Sequence, residues 1–243
     1  MPDQRKHRGP APKDEEFFGS NAHSSLRAAC TDLTWLLTRG YPIDASLALV
    51  GNQYALVQRQ RVAVRRATCS EQERSSRRER ELGPGKRLRG SLWIDGYNVL
   101  TSIEAALAGG VILACADGTY RDMASMHGSW RRVAETDRAI ALLVDAIDEL
   151  GISEAILYLD QPVSNSARLR TMLVTALGDR AVEVALVPDP DVILAQAPVP
   201  IATADSGILD RCGSWFSLAQ FVIARHALTD WIVDLDPFST GSR

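Results

Sequence analysis

Asp95, Asp160 and Asp205 each stand just beyond a short apolar run, Leu92 to Ile94, Ala155 to Leu159 and Val199 to Thr203. If those runs are neighbouring strands of one parallel sheet, their carboxyl ends share a rim, and that rim is where open α/β sheets bind ligands. Carboxylates brought so close either share protons or hold a divalent cation. With oxygen donors and no histidine or cysteine beside them, Mg²⁺ or Mn²⁺ is favoured over zinc. Such an ion activates water and neutralises charge developing on a phosphate, which is what phosphodiester hydrolysis demands. In Leu92-Trp93-Ile94-Asp95-Gly96-Tyr97-Asn98-Val99-Leu100, Gly96 permits a sharp turn that lets Asp95 and Asn98 face the open end of the sheet. Each acid also has an ordinary alternative. Asp95 and Asn98 can form an Asx-type turn, Asp205 an N-cap and Asp160 a turn, with Asp189 and Asp191 plain loop residues.

Asp117, Asp122 and Glu104 are further acids that could complete the cluster, although Asp122 beside Arg121 can equally form a local ion pair. Asp117 and Asp122 belong to the stretch between Asp117 and Arg132; dense in polar and aromatic groups, this stretch reads as an inserted functional loop. Within it His127 could act as a general acid or bind phosphate. Ser164 and Ser166 show no nucleophile-elbow pattern, which argues against a serine hydrolase. Cys30, Cys69, Cys115 and Cys212 are scattered without a Cys-x-x-Cys pair, so they read as buried reduced thiols.

The elements that must position these groups are legible from periodicity. Residues 1–22, with Pro2, Pro10 and Pro12 and few apolar residues, read as a disordered arm. Leu26, Cys30, Leu33 and Leu37 predict a helix that Gly40 stops, and a second helix follows Pro42, capped by Asp44 and running through Val50, Tyr54, Val57 and Val64. Residues 23–82 thus read as a basic helical domain, 83–90 as a Gly-Pro linker or basic loop, and 91–243 as an α/β domain. In the last, Thr101 or Ser102 caps a short helix, Val111 to Cys115 is a strand, and an amphipathic helix spans Glu135 to Leu150. Strands at 155–159, 182–187 and 199–203, a helix at 165–177, a closing helix around Leu218 to Val222 and a last strand at 231–235 follow. That alternation predicts a parallel sheet.

The net charge of −3 conceals a division: lysine and arginine outnumber acids 17 to 10 through Gly90, and acids outnumber them 20 to 10 thereafter. Such a split suits one part that holds a polyanion and another that gathers cations, or two halves that attract each other. Arg59, Arg61, Arg65 and Arg66 lie within about two helical turns, and with Lys86 and Arg87 they are candidates for phosphate contacts. Arg121, His127, Arg131, Ser164 and Asn165 are candidates nearer the acids. No apolar stretch approaches the roughly 20 residues that cross a bilayer, and the charged N-terminus is unlike a signal peptide, which together predict a cytoplasmic protein.

Asp95-Gly96-Tyr97-Asn98 resembles the opening motif of NYN domains in the PIN-like nuclease superfamily, and Thr203-Ala204-Asp205-Ser206 is similar to the later Thr-x-Asp motif of PIN proteins. The whole chain also resembles the family called domain of unknown function 434, through Leu36-Leu37-Thr38-Arg39-Gly40-Tyr41, Leu49-Val50-Gly51-Asn52, Arg59-Gln60-Arg61, Asp117-Gly118-Thr119-Tyr120-Arg121-Asp122 and Asp160-Gln161-Pro162-Val163-Ser164-Asn165-Ser166. The PIN-like resemblance implies a central parallel sheet flanked by helices, a cluster of three or four acids, Mg²⁺ or Mn²⁺, and RNA as substrate. By position it implies Asp95 and Asp205 as metal ligands, then Asp160, with Asn98 orienting water or a ligand; Asp117 and Asp122 remain candidates for the fourth acid. It departs in the middle, where PIN enzymes place an acid on a helix and this chain has the Asp117 to Arg132 stretch. The resulting expectation is a metal-dependent ribonuclease with an arginine-rich RNA-holding unit, for which a homodimer is compatible. Its rival is a non-catalytic RNA-binding or ribonucleoprotein-assembly protein that kept the pocket alone.

Overall fold

A computed structural model describes residues 7–83, 88, 90–124 and 129–239. The chain turns helical earlier than its proline-rich start suggests, with α1 at Asp14–Phe18 followed by α2 at Ser20–Thr38. Phe18 is fully buried, so the expected disordered arm is corrected from Asp14 onward. Gly40, at φ 80°, ends the hairpin turn after α2 in the left-handed region that glycine tolerates best. The single helix expected after Pro42 is two, α3 at Ile43–Gln53 and α4 at Gln58–Ala67, broken where Ala55 takes φ 49°. Helix α5, Glu71–Glu79, opens with a capping box in which Ser70 and Glu73 bond each other's backbone N–H.

Strand β1, Ser91–Asp95, passes straight into α6, Gly96–Leu107, with Asp95 as the N-cap in place of the expected Thr101 or Ser102. A β-carbon on Gly96 would lie 2.7 Å from Leu159 Cδ2 and 2.9 Å from the Tyr158 carbonyl. Glycine is therefore needed there for close approach to the next strand rather than for a strained turn. A hairpin of β2, Ile112–Ala114, and β3, Tyr120–Asp122, precedes α7, Thr136–Leu150, which Gly151 ends at φ 68°. Then come β4, Glu154–Asp160; α8, Ser166–Leu177; β5, Val182–Val187; and α9, Pro190–Ala195. The chain closes with β6, Ile201–Ala202; α10, Ser206–Leu209; β7, Trp215–Phe216; α11, Leu218–Arg225; and β8, Ile232–Asp234. Neither α9 nor β7 was anticipated, both being too short to show a period.

The fold is mixed α/β with a parallel central sheet flanked by helices. Its strand order is β5-β4-β1-β6-β7, every pair parallel. From β1 the chain builds outward through β4 to β5, and then crosses back to place β6 on the other side of β1. Connections therefore leave in opposite directions at the β1/β6 boundary, a topological switch point. A smaller sheet, β3-β2-β8, stands apart from it.

The N-terminal helices do not enclose a core of their own. Leu26, Cys30, Leu33, Val50 and Val64 share one buried cluster with Leu113, Cys115, Val233 and Leu235 from the smaller sheet. The helices expected as a basic domain at residues 23–82 thus pack as a layer on that sheet. The end of that expected domain also joins the α/β part, because Leu82 N–H donates to the Trp215 carbonyl and Trp215 N–H to the Arg80 carbonyl, extending the central sheet past β7, while residues 84–87 and 89 of the expected linker lie outside the described residues. Among the described residues no helix is long and apolar enough to cross a membrane.

Candidate functional site

A cleft of about 340 Å³ opens at the switch point, walled by Asp95 and Asn98 from the start of α6, Asp205 and Ser206 after β6, and Asp191 on α9. Arg66 from α4, Arg121 and Asp122 from β3, and Ser102 also line it. Apolar residues of β1 drive that strand into the core, and the polar tip is left at the rim: Ile94 is fully buried while Asp95 keeps 8% of its surface. Two hydrogen bonds fix its carboxylate. Oδ1 accepts the Asn98 N–H at 3.2 Å, and Oδ2 accepts the Thr203 hydroxyl at 2.8 Å. Asn98 in turn uses its side-chain oxygen to accept the Ala204 N–H at 2.8 Å. The two motifs, 108 positions apart at Asp95 and Thr203, are thereby laced together.

Burial pushes the Asp95 carboxyl up from 3.8 to about 7, against the pull of its bonds to Thr203 and Asn98; the charges of Asp191 and Asp205 raise it further. Asp191 is raised by burial and then by Asp205, Asp189 and Asp160, with Arg211 opposing. Neither of these carboxylates has an ion-pair partner among the described residues. Asp205 also caps α10, its Oδ1 accepting the Ile208 N–H at 3.1 Å, so the capping alternative holds alongside its place in the cleft. Among the described residues no three His, Cys, Asp or Glu side chains are gathered tightly enough to grip an ion as they stand.

Several expected site residues lie elsewhere. Asp160, at the tip of β4, does not line the cleft and reaches it only through its charge on Asp191 and Tyr97. Asp191 occupies the place expected for it. Asp117 is no metal ligand: fully buried, it accepts Arg77 Nη1 at 2.7 Å and Arg121 Nη2 at 2.6 Å. Burial alone would raise its carboxyl, but the Arg121 charge and hydrogen bonds, then Arg77, hold it well below the usual carboxylate range. Asp122 does face the cleft, with Oδ2 accepting the Ser102 hydroxyl at 2.7 Å. Glu104 is buried against Arg8 and the Thr136 hydroxyl.

The arginine-rich face is largely spoken for. Arg59 pairs with buried Asp14; Arg61 donates to the Leu56 carbonyl at 2.9 Å and to Asn52 at 2.8 Å; Arg65 pairs with Asp44 at the surface. Arg66 donates to the Asp122 carbonyl at 2.6 Å and still lines the cleft. Arg121 lines it too, although its guanidinium is committed to Asp117 and to the carbonyls of Arg66 and Ala204. Arg131, Ser164 and Asn165 do not border this cleft. Asn165 instead takes φ 69° before α8 and donates to the Trp130 carbonyl at 2.9 Å. Lys86, Arg87 and His127 lie outside the described residues. Sequence reasoning passed over Asp191 as a site residue; its one signal was Pro188-Asp189-Pro190-Asp191 directly after a strand.

The fold and cleft define an α/β protein with a carboxylate-lined crevice at the switch point of its sheet. Residues 86–221 match the family described as a domain of unknown function (DUF5616), and the chain belongs to that family. Residues 25–80 match a second description, a protein of unknown function (DUF434), so that resemblance holds for the N-terminal helices rather than the whole length. An uncharacterised protein of Methanocaldococcus jannaschii is 36% identical over 146 residues, covering 60% of this chain and 69% of that protein. No solved structure matches.

Proposed function

We propose that the protein is a Mg²⁺- or Mn²⁺-dependent ribonuclease whose reaction takes place in the switch-point cleft. The observation that carries this reading is the gathering of Asp95, Asp191 and Asp205 around one cleft with, among the described residues, no cationic side chain in an ion pair with Asp95 or Asp191. An oxygen-only donor set of mutually repelling carboxylates fits a hard dication in its chemistry. Bound there, the ion would supply an activated water and charge neutralisation at a phosphate. Asp95, Asp205 and Asp191 would hold it, the latter two turning inward from exposed positions. Asn98 keeps the Ala204 peptide, and so the root of Asp205, at a fixed distance from Asp95. Arg66, which also lines the cleft, would supply a guanidinium for a substrate phosphate. RNA as the substrate rests on the resemblance of Asp95-Gly96-Tyr97-Asn98 and Thr203-Ala204-Asp205 to NYN and PIN motifs.

The test is incubation of single-stranded and structured RNAs with the protein and Mn²⁺. Cleavage should fall by roughly 100-fold or more in Asp95→Asn and Asp205→Asn, since each removes a ligand from a site with few. No cleavage by wild type, or undiminished cleavage by Asp95→Asn, defeats the proposal.

A second reading, a non-catalytic RNA-binding or ribonucleoprotein-assembly protein, is favoured by one observation: Asp95 and Asp205 both serve as helix caps, and among the described residues no three acids stand close enough to grip an ion. RNA binding without metal that survives both aspartate substitutions would select it.

A further inference from the structure

We propose that the N-terminal helical segment is a working part of the cleft, with Arg77 and Asp117 as positioning residues that act through Arg121 on the loop bearing Asp205. The proposal rests on the reading that Asp205 works in the cleft. The Ala204 peptide is held from both sides. Asn98 accepts its N–H at 2.8 Å, and Arg121 Nε donates to its carbonyl at 2.7 Å. Arg121 has little freedom to do otherwise, because its Nη2 sits 2.6 Å from Asp117 Oδ2 and its Nη1 donates to the Arg66 carbonyl at 2.8 Å.

Asp117 is set in turn by Arg77, a residue of α5 that is only 2% exposed. Arg77 reaches Asp210, which caps the far end of α10, through Nε at 2.7 Å and Nη2 at 2.9 Å. The Arg77 carbonyl accepts the Trp215 indole N–H at 2.7 Å, which anchors this end of the network to β7. Loop 203–205 and helix α10 are therefore gripped at Ala204 by one arginine and at Asp210 by another, with Asp117 joining the two.

The connection runs across the two matched families. Arg66 and Arg77 fall within residues 25–80, and Asp117, Arg121, Ala204 and Asp210 within 86–221. A segment that merely held RNA at a distance would have no use for a bidentate bond from a buried arginine to the C-terminal end of α10. Planar guanidinium forks fix direction as well as distance, which a lysine ammonium in the same place does not. Loss of such a fork lets the loop drift, and a displacement near 1 Å at a reacting group costs on the order of 100-fold in rate.

The experiment uses the full chain and three variants: Arg77→Lys, Asp210→Asn, and Asp148→Asn, which breaks the exposed Arg180 pair far from the cleft. The Asp210 side chain is 37% exposed, so its amide variant folds even where a change at Arg77 disturbs packing. Two quantities are read, kcat and KM for Mn²⁺-dependent RNA cleavage and the amide resonance of Ala204 in alanine-labelled protein. Arg77→Lys and Asp210→Asn should lower kcat by roughly 10-fold or more with KM little changed, and both should move the Ala204 resonance; Asp148→Asn should do neither. An unmoved Ala204 resonance in folded Asp210→Asn overturns the proposal, as does a kcat loss no greater than that of Asp148→Asn. Should wild type cut no RNA, the ribonuclease reading fails by itself and the resonance alone decides the positioning role.

Discussion

Asp95 and Asp117 are both buried aspartates near the end of a β-strand, and their surroundings drive them in opposite directions. Asp117 meets two guanidiniums and a threonine hydroxyl, and its carboxyl is held well below the usual range. Asp95 meets only neutral donors, Asn98 N–H and Thr203 hydroxyl, and lies within reach of two further negative charges, so its carboxyl is pushed up to about 7. The lesson is that burial does not define a site. A carboxylate whose charge is compensated inside the fold serves structure, and one left uncompensated beside an opening is available to a cation or a proton.

The largest test of the contrast is Asp117→Asn. Removing the charge leaves Arg77 and Arg121 buried against a neutral amide, and breaking a buried pair from one side costs about 3–5 kcal/mol. Urea unfolding at pH 7 should show a loss of that size. A loss below about 1 kcal/mol would mean that Asp210 and backbone carbonyls alone satisfy the two arginines.

Asp95→Asn should do the reverse, and its effect should depend on pH. The folded-state value lies above the ordinary 3.8, so the folded protein prefers the protonated acid. That preference stabilises the fold in full below about pH 4 and is lost as pH rises through about 7. Asparagine cannot ionise, so the variant should gain on wild type between pH 4 and pH 8. Three units would amount to about 4 kcal/mol, and solvent in the open cleft reduces the expected gain to roughly 2. A difference between the two proteins that stays flat across this range would show that Asp95 is compensated after all.

The sequence exposed one member of this contrast far better than the other. Asp95 and Asp205 were legible because each ends an apolar run, and a parallel sheet can only place such ends along one rim. The switch point followed from the same alternation once β6 lay beside β1. Asp191 was hidden because it rides a six-residue helix, too short for a period, on the crossover that returns over the sheet. Asp160 was misplaced for the converse reason: it ends a strand, but one lying on the far side of β1 from β6. Asp117 and the arginines were misread because charge can be counted along a chain while its compensation cannot. Arg77 finds Asp117 at 40 positions' distance and Asp210 at 133, and Arg59 finds Asp14 at 45.

Among the arginines the same contrast operates on a smaller scale. Arg59→Ala leaves the buried Asp14 carboxylate short of its partner and should cost about 1–3 kcal/mol.

Arg65→Ala should change stability least, by less than about 0.5 kcal/mol, because both partners of its pair with Asp44 are exposed, at 45% and 84%. It is nevertheless the informative change for nucleic acid. A weak exposed pair can exchange Asp44 for a phosphate at little cost, whereas Arg59 and Arg61 are already committed to Asp14, Asn52 and the Leu56 carbonyl. If the protein binds single-stranded RNA, each phosphate contact contributes about 0.7 to the slope of log affinity against log salt. Arg65→Ala should lower that slope by about one contact, while Arg59→Ala and Arg61→Ala leave it unchanged. Equal reductions in all three would place the committed arginines on the RNA and erase the distinction between compensated and available charge on this face.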